Sequence, residues 1–274
     1  MLADAFRAEG ARFLRQRGAL IWGFGFFPAA MLLITLAVAF FVRTHVHKEM
    51  PGAASVAESV LRNIHYASAP PDQLFVLLAA AALFAGDYRW ETWRLLTPRN
   101  SRLTLLGGKL IVYALACLAG LLLLGLSGVL QTVLGAAIDG SRIALPDFSA
   151  AFFGQLGLSL ATAWLDLMLL GELALLTAVV TRSNIAAIMV PFGLFCVQAF
   201  VVSQIHGADR IQPPLKYLIT LPSLSVDVLR GTVLGPGGEQ AVGVGVAGVC
   251  VAVWLLGLGG AALALFQRQD LTRE

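Results

Sequence analysis

Charge is scarce in this sequence. Only 13% of its 274 residues are Asp, Glu, Lys or Arg, where an ordinary soluble domain carries about 25%. That deficit argues against a soluble enzyme, a disordered tail and a nucleic-acid-binding domain. The formal charge of +3 is small, so the placement of the charges matters more than their sum. Cysteine is sparse as well: Cys117, Cys196 and Cys250 sit singly in apolar runs, without a CxxC pair. They read as buried thiols, not as a disulfide framework or a zinc site. Also missing is a GxxxxGK[ST] phosphate-binding loop. Gly107-Gly108-Lys109 has Leu103 where the first glycine belongs and Leu110 where Ser or Thr belongs. The chain is therefore not expected to be an enzyme.

What the sequence has in abundance is apolar length: 58% hydrophobic residues and a mean hydropathy of +0.81. A helix needs about 20 apolar residues to cross a ~30 Å hydrocarbon core. The pattern predicts an all-α, polytopic membrane protein, with residues 1–274 as one transmembrane domain. Six spans are expected, at about residues 18–42, 71–87, 109–136, 155–181, 184–205 and 240–267. Two need argument. Residues 148–181 are interrupted only by Asp166 and Glu172, and would reach about 51 Å as one helix. That length predicts a surface-lying start at Phe148–Gly154, then one tilted span. The second candidate is short, with an apolar stretch of only Gln73–Gly86. Pro70 and Pro71 suit a helix start, while Tyr88 and Trp90 suit an interfacial end.

The basic residues decide whether that stretch crosses. With six crossings and a cytoplasmic N-terminus, twelve of the nineteen Lys and Arg lie inside and seven outside. Without it, the cluster Arg89–Lys109 would move outside and blur the bias, so the positive-inside rule favours a crossing. Both termini are then cytoplasmic. Residues 1–17 form a basic segment with Leu2, Phe6, Phe13 and Leu14 near one helical face, which predicts an amphipathic helix along the inner surface of the bilayer. The outer connections are 43–72, 139–147 and 206–239. In the last of these, Leu215–Leu221 and Leu224–Leu234 read as short interfacial helices, serving either as a lid or as plain surface loop.

Between spans two and three the chain reads GDYRWETWRLLTPRNSRLTLLGGK. Asp87–Leu96 is predicted as a short amphipathic helix on the cytoplasmic face, and Pro98 stops it. Anchoring at the interface accounts for Trp90, Arg99 and Arg102. It accounts less well for Asp87 and Glu91 one turn apart beside Arg94, a mixture that suits a surface meeting another protein.

This segment resembles the loop after span two in ABC transporter permeases of the type-2 exporter family. The matching positions are Asp87, Tyr88, Arg89, Trp90, Thr92, Leu95, Leu96, Pro98, Ser101, Arg102, Gly108 and Lys109. Glu91 stands where glycine is usual, and Asp87 where glutamate is commoner. The ending Phe266–Leu271 and the six-span topology also resemble that family. The resemblance implies one half of an exporter in the bacterial cytoplasmic (inner) membrane, pairing with a second copy or a similar permease. Cytoplasmic ABC ATPase subunits would bind ATP and Mg and dock on residues 87–102, so no cofactor is expected in this chain. A periplasmic accessory protein is a further candidate partner; nucleic acid is not.

Acids inside a span are costly unless paired or wet. Asp166 and Glu172 lie six residues apart, ~120° around a helix, so they do not form a two-carboxylate pair. The spans contain no Lys or Arg at their centres. The acids are thus expected to be protonated, to bond with Gln131, Gln155 or Gln198, or to face a wet cavity. They are candidates for a translocation path or for structural hydrogen bonding. A proton-coupled secondary transporter using Asp166 and Glu172 is the rival function.

Three further patterns are weaker. His45, His47, His65 and His206 fall outside and read as loop residues in preference to metal ligands. Gly125-Leu126-Ser127-Gly128 matches the GxSG of intramembrane serine proteases, yet the only base on offer, His206, follows the end of its span. Small residues at four-residue spacing in the last span (Ala241/Gly245, Gly248/Ala252, Gly257/Ala261) permit close helix packing, within the chain or between subunits.

Overall fold

The computed structural model describes residues 2–46, 53–89, 101–206, 221–231 and 243–269. It begins with a 14-residue helix, α1 (Leu2–Arg15), with Asp4 in its first turn and Arg12 and Arg15 in its last. This order suits the helix dipole. The helix breaks at Gln16, whose φ, ψ of −80°, 65° leave the helical region. The first long apolar helix then runs Arg17–His45 (α2), with a π-helical turn at Ile21–Gly25. Two contacts fix it. Gly23 lies so close to Ala79 that a side chain there would overlap it, and Gly120 leaves room for the Phe24 ring.

The second expected span is the largest departure from the sequence reading. The connection 43–72 is not a simple outer loop. Ser55 caps a helix over Val56–Tyr66 (α3), its side chain accepting from the Glu58 amide. A second helix, Pro70–Phe84 (α4), starts with proline at its first positions, and the two meet at a 57° bend. α3 stays out of water because its polar face has partners: Asn63 and Gln131 exchange hydrogen bonds of 3.1 and 3.2 Å. Gly128 removes the side chain that would otherwise strike the Ser59 carbonyl. The chain therefore turns back before the apolar stretch begins. Ala54–Ser55 pair in parallel with Ile143–Ala144, and the other extreme of the bent pair is the Leu83 carbonyl, beside Lys109.

A helical turn, Gly86–Arg89 (α5), follows. The 38-residue α6 (Arg102–Asp139) is capped by Ser101 and ended by Gly140 in the left-handed region at φ 73°. α7 (Ala150–Thr181) is one unbroken helix of 32 residues capped by Ser149. The surface-lying start expected at Phe148–Gly154 is absent, because the turn is made earlier: Phe148 has φ 48° and the helix starts directly after the cap. α8 spans Asn184–His206, α9 Pro222–Leu229 and α10 Val244–Arg268.

α7 is the central post, packed against α4, α6, α8, α9 and α10. In its most apolar stretch 72% of residues are buried, against 11% for α2 and 17% for α10. The outer helices thus present wide apolar surfaces, as a bilayer requires. Five helices are long and apolar enough to cross a membrane, or up to six if the bent pair counts as one span. The chain is an all-α protein of the multi-pass membrane type.

The short helix α9 also differs from expectation. Leu224, Val226 and Val228 are fully buried, so it is tucked against α7, α8 and α10 and does not lie at an interface. Of the other expected interfacial helix, residues 215–220 fall outside the described residues.

Candidate functional site

Two buried charge clusters lie within the bundle. The first is built around the start of the 87–102 segment. Gly108 lets α1 lie directly on α6, since a Cβ there would stand 3.3 Å from the Ala5 backbone. That approach puts Glu9, one turn beyond Ala5, opposite Lys109. The Lys109 ammonium is almost fully buried. It sits 2.7 Å from Asp87 Oδ2 and 3.3 Å from Glu9 Oε2, and donates to the Leu83 carbonyl at 2.6 Å. Arg12 donates to the other Asp87 oxygen and lies 3.8 Å from Glu9. Two carboxylates face two cations, so the cluster is formally neutral. For Arg12, burial works to lower the pKa, yet the hydrogen bond and charge of Asp87 and the charge of Glu9 outweigh it and the pKa rises.

The neighbouring residues tie the same segment to the far end of the chain. Tyr88 donates to Gln269 Oε1 at 3.0 Å, and Gln269 Nε2 donates to the Val179 carbonyl at 2.5 Å. Burial raises the Tyr88 phenol's pKa, keeping it a neutral donor. At the other foot of the segment, Arg102 donates to the carbonyls of Phe266, Gln267 and Gln269 at 2.7, 2.8 and 2.7 Å. These carbonyls lie at the C-terminal end of α10, where a cation suits both the hydrogen bonding and the helix dipole. The Arg102 guanidinium also lies over the Phe266 ring, 5.7 Å from its centroid. Both feet of the segment are therefore fastened, one to α1, α6 and α10, the other to the end of α10. Of the loop residues singled out from sequence, Asp87, Tyr88 and Arg102 take part. Trp90, Glu91, Thr92, Arg94 and Pro98 lie outside the described residues, as does the side chain of Arg89.

The second cluster surrounds Asp166. The sequence offered no cation at mid-span, and here the expectation is corrected. Arg230, just beyond α9, reaches inward and is itself nearly buried. Its Nε donates to Thr162 Oγ1 at 3.1 Å, Nη1 to Asp227 at 3.1 Å and Nη2 to Ser68 at 2.5 Å. Asp166 Oδ2 stands 3.9 Å from the guanidinium, too far for a direct hydrogen bond. A cavity of about 170 Å³ opens between these groups, lined also by His65 and Gln73.

The other intramembrane candidates do not converge on it, with one exception. Gln198 Oε1 accepts from the Ser223 amide at 2.9 Å, at the margin of the cavity. Glu172 lies against Gly259 of α10, Gln131 is engaged with Asn63, and Gln155 is exposed. Ser127 donates to the Leu124 carbonyl at 2.8 Å within its own helix, and Gly125 and Gly128 serve the packing of α3. No group of three or more metal-ligating side chains occurs among the described residues.

Sequence reasoning missed Glu9, Arg12, Asn63 and Arg230. The first two left a signal: acid and base three residues apart on the apolar side of an otherwise amphipathic helix. Arg230 left none, since its partner lies 64 positions away. Protein-family models give no match to this sequence, and no curated protein matches it significantly.

Proposed function

We propose that the chain is the permease subunit of an ATP-binding-cassette exporter in a bacterial cytoplasmic membrane. It crosses six times with both termini inside, pairs with a second copy or a similar chain, and is driven by separate ATPase subunits docked on residues 87–102. One observation carries this reading. The two motif residues that bracket the segment, Asp87 and Lys109, form a buried ion pair of 2.7 Å, and Arg102 is bonded to three carbonyls at the end of α10. A force applied to a segment fastened at both feet moves α1, α6 and α10 together. An interfacial anchor needs no such wiring.

The same geometry supports the six-span count. Pairing of residues 54–55 with 143–144 puts the start of the bent pair at the end where α6 finishes, while Leu83 meets Lys109 where α6 begins. That path suits the bent pair as the second crossing. The charge bias then assigns the α1 end to the cytoplasm.

The rival, a proton-coupled carrier using Asp166 and Glu172, draws no support from their placement, because the two face different neighbours. The test is mild-detergent purification of the chain from its native membrane. Co-purification of a soluble ATPase is the expected result. Isolation of the chain alone, or only with its own kind, would remove the exporter assignment.

A further inference from the structure

The first bend of the chain leaves a groove that the fold does not fill. α1 rests on α6 where Ala5 meets Gly108, and the chain breaks at Gln16 before α2 begins. Between α1, the start of α2 and the first half of α6 lies a cavity of about 450 Å³. Among the described residues it is lined only by apolar side chains and glycine, so it offers a guest no hydrogen-bonding side chain. Gly25 has nothing within 4 Å of the place where a Cβ would stand. Leu14, Ile21, Leu115 and Ala119 are exposed along the groove, which makes it open at the surface. Folded proteins hold few voids larger than a water molecule, and an open apolar one beside a bilayer suits hydrocarbon. Its volume equals roughly fifteen water-sized groups at ~30 Å³ each, the scale of one acyl chain.

Hydrocarbon alone does not choose among lipids; the charges beside the groove do. On α1, Phe6, Gly10, Phe13 and Leu14 line it as one helical stripe, and Arg7 borders that stripe one turn before Gly10. On α2, Arg17 stands one turn before the lining residues Leu20 and Ile21, on the same face. Arg15 follows Leu14 directly. All three arginines are exposed, and none enters an ion pair among the described residues. Arg12, by contrast, is engaged with Glu9 and Asp87. An arginine stem can cover apolar surface while its guanidinium reaches a phosphate. Three such cations favour a headgroup whose phosphate has no ammonium group of its own. We propose that the groove holds one acyl chain of an anionic phospholipid, with the headgroup phosphate against Arg15 and Arg17. This goes beyond the permease reading, because lipid selection belongs to the chain whether or not an ATPase drives it.

The experiment measures thermal stability of the delipidated full chain in detergent, titrated at constant ionic strength. Dioleoyl phosphatidylglycerol is compared with dioleoyl phosphatidylcholine, which has the same chains and a zwitterionic headgroup. Glycerol phosphate tests the headgroup without a chain. Saturable stabilisation by phosphatidylglycerol is expected, with binding at least about fivefold tighter than for phosphatidylcholine, as the attraction of a cation near the membrane surface supplies. In Arg15→Gln/Arg17→Gln, both changes at exposed positions, that preference should fall towards one. Ala119→Phe fills the groove from its open side and should weaken both lipids at least about fivefold. Should it fail to fold, Gly25→Leu places similar bulk from α2. Glycerol phosphate should not stabilise. Equal binding of the two lipids by the wild-type chain, or an unchanged preference in the arginine variant, would overturn the proposal. So would undiminished lipid binding in the filled groove, or stabilisation by glycerol phosphate equal to that by phosphatidylglycerol.

Discussion

The two buried charge clusters are made of the same residue types and differ in tightness. Around Lys109, two acids and two bases close within 3.8 Å. Around Asp166, the nearest cation stands off at 3.9 Å and the surrounding cavity leaves an acid oxygen unmatched. A buried ion repays its desolvation only when its partner is close and its remaining lone pairs are filled. In the first cluster each acid has a cation within 3.3 Å, the closeness that a joint requires. In the second, Asp166 stands 3.9 Å from Arg230.

That contrast can be broken most severely at the joint. Lys109→Met leaves Asp87 and Glu9 facing each other in a buried position with only Arg12 to offset them. A loss of about 3–5 kcal/mol is expected, seen as a collapse of monodisperse protein in detergent chromatography. The double variant Asp87→Leu/Lys109→Met removes both charges and should recover most of that loss, in a thermal-stability double-mutant cycle. Recovery is the distinguishing point, because simple loss of packing would add instead of cancel.

At the second cluster, Arg230→Gln should cost less than Lys109→Met, about 1–3 kcal/mol. The main loss is the hydrogen bonds to Thr162, Asp227 and Ser68. A thermal shift as large as that of Lys109→Met would erase the distinction between the two clusters. Gly128→Val probes the packing beneath α3 instead of either cluster. The added side chain meets the Ser59 carbonyl, and about 1–3 kcal/mol of destabilisation is expected, with accelerated proteolysis at the residues preceding α3 as its signature. The smallest effect is reserved for Tyr88→Phe, which removes one hydrogen bond to Gln269 and should cost about 1 kcal/mol. It should leave ATPase binding intact in a pull-down.

The sequence disclosed these regions unequally. Long helices were legible because a run such as that within α6 or α10 has no other means of leaving water. Their ends were legible where a cap is local: Ser101, Ser149 and Gly140 each act within four residues. α3 was not legible, since Glu58, Arg62, Asn63 and His65 make Val56–Tyr66 look like a solvated loop. Only the distant Gln131 and Gly128 show how a polar face is buried. Asp87 and Lys109 were both visible as motif residues, but their pairing depends on where α5 returns to α6. Arg230 was placed on the outer surface because the apolar residues before it are too few to announce a buried helix. Local patterns report what a segment buries; they do not report which remote group meets it.

The account's central claim is that residues 87–102 transmit the work of an ATPase through a fastened joint. The most direct measurement is ATP hydrolysis by the complex purified around the wild-type chain, compared with one carrying Glu91→Arg and Arg94→Glu. Those charges belong to the segment's proposed docking face, and the variant chain is expected to insert and fold normally. Stimulation of ATPase activity is expected to be lost while the chain itself remains intact. Undiminished stimulation in the charge-reversed variant would contradict it.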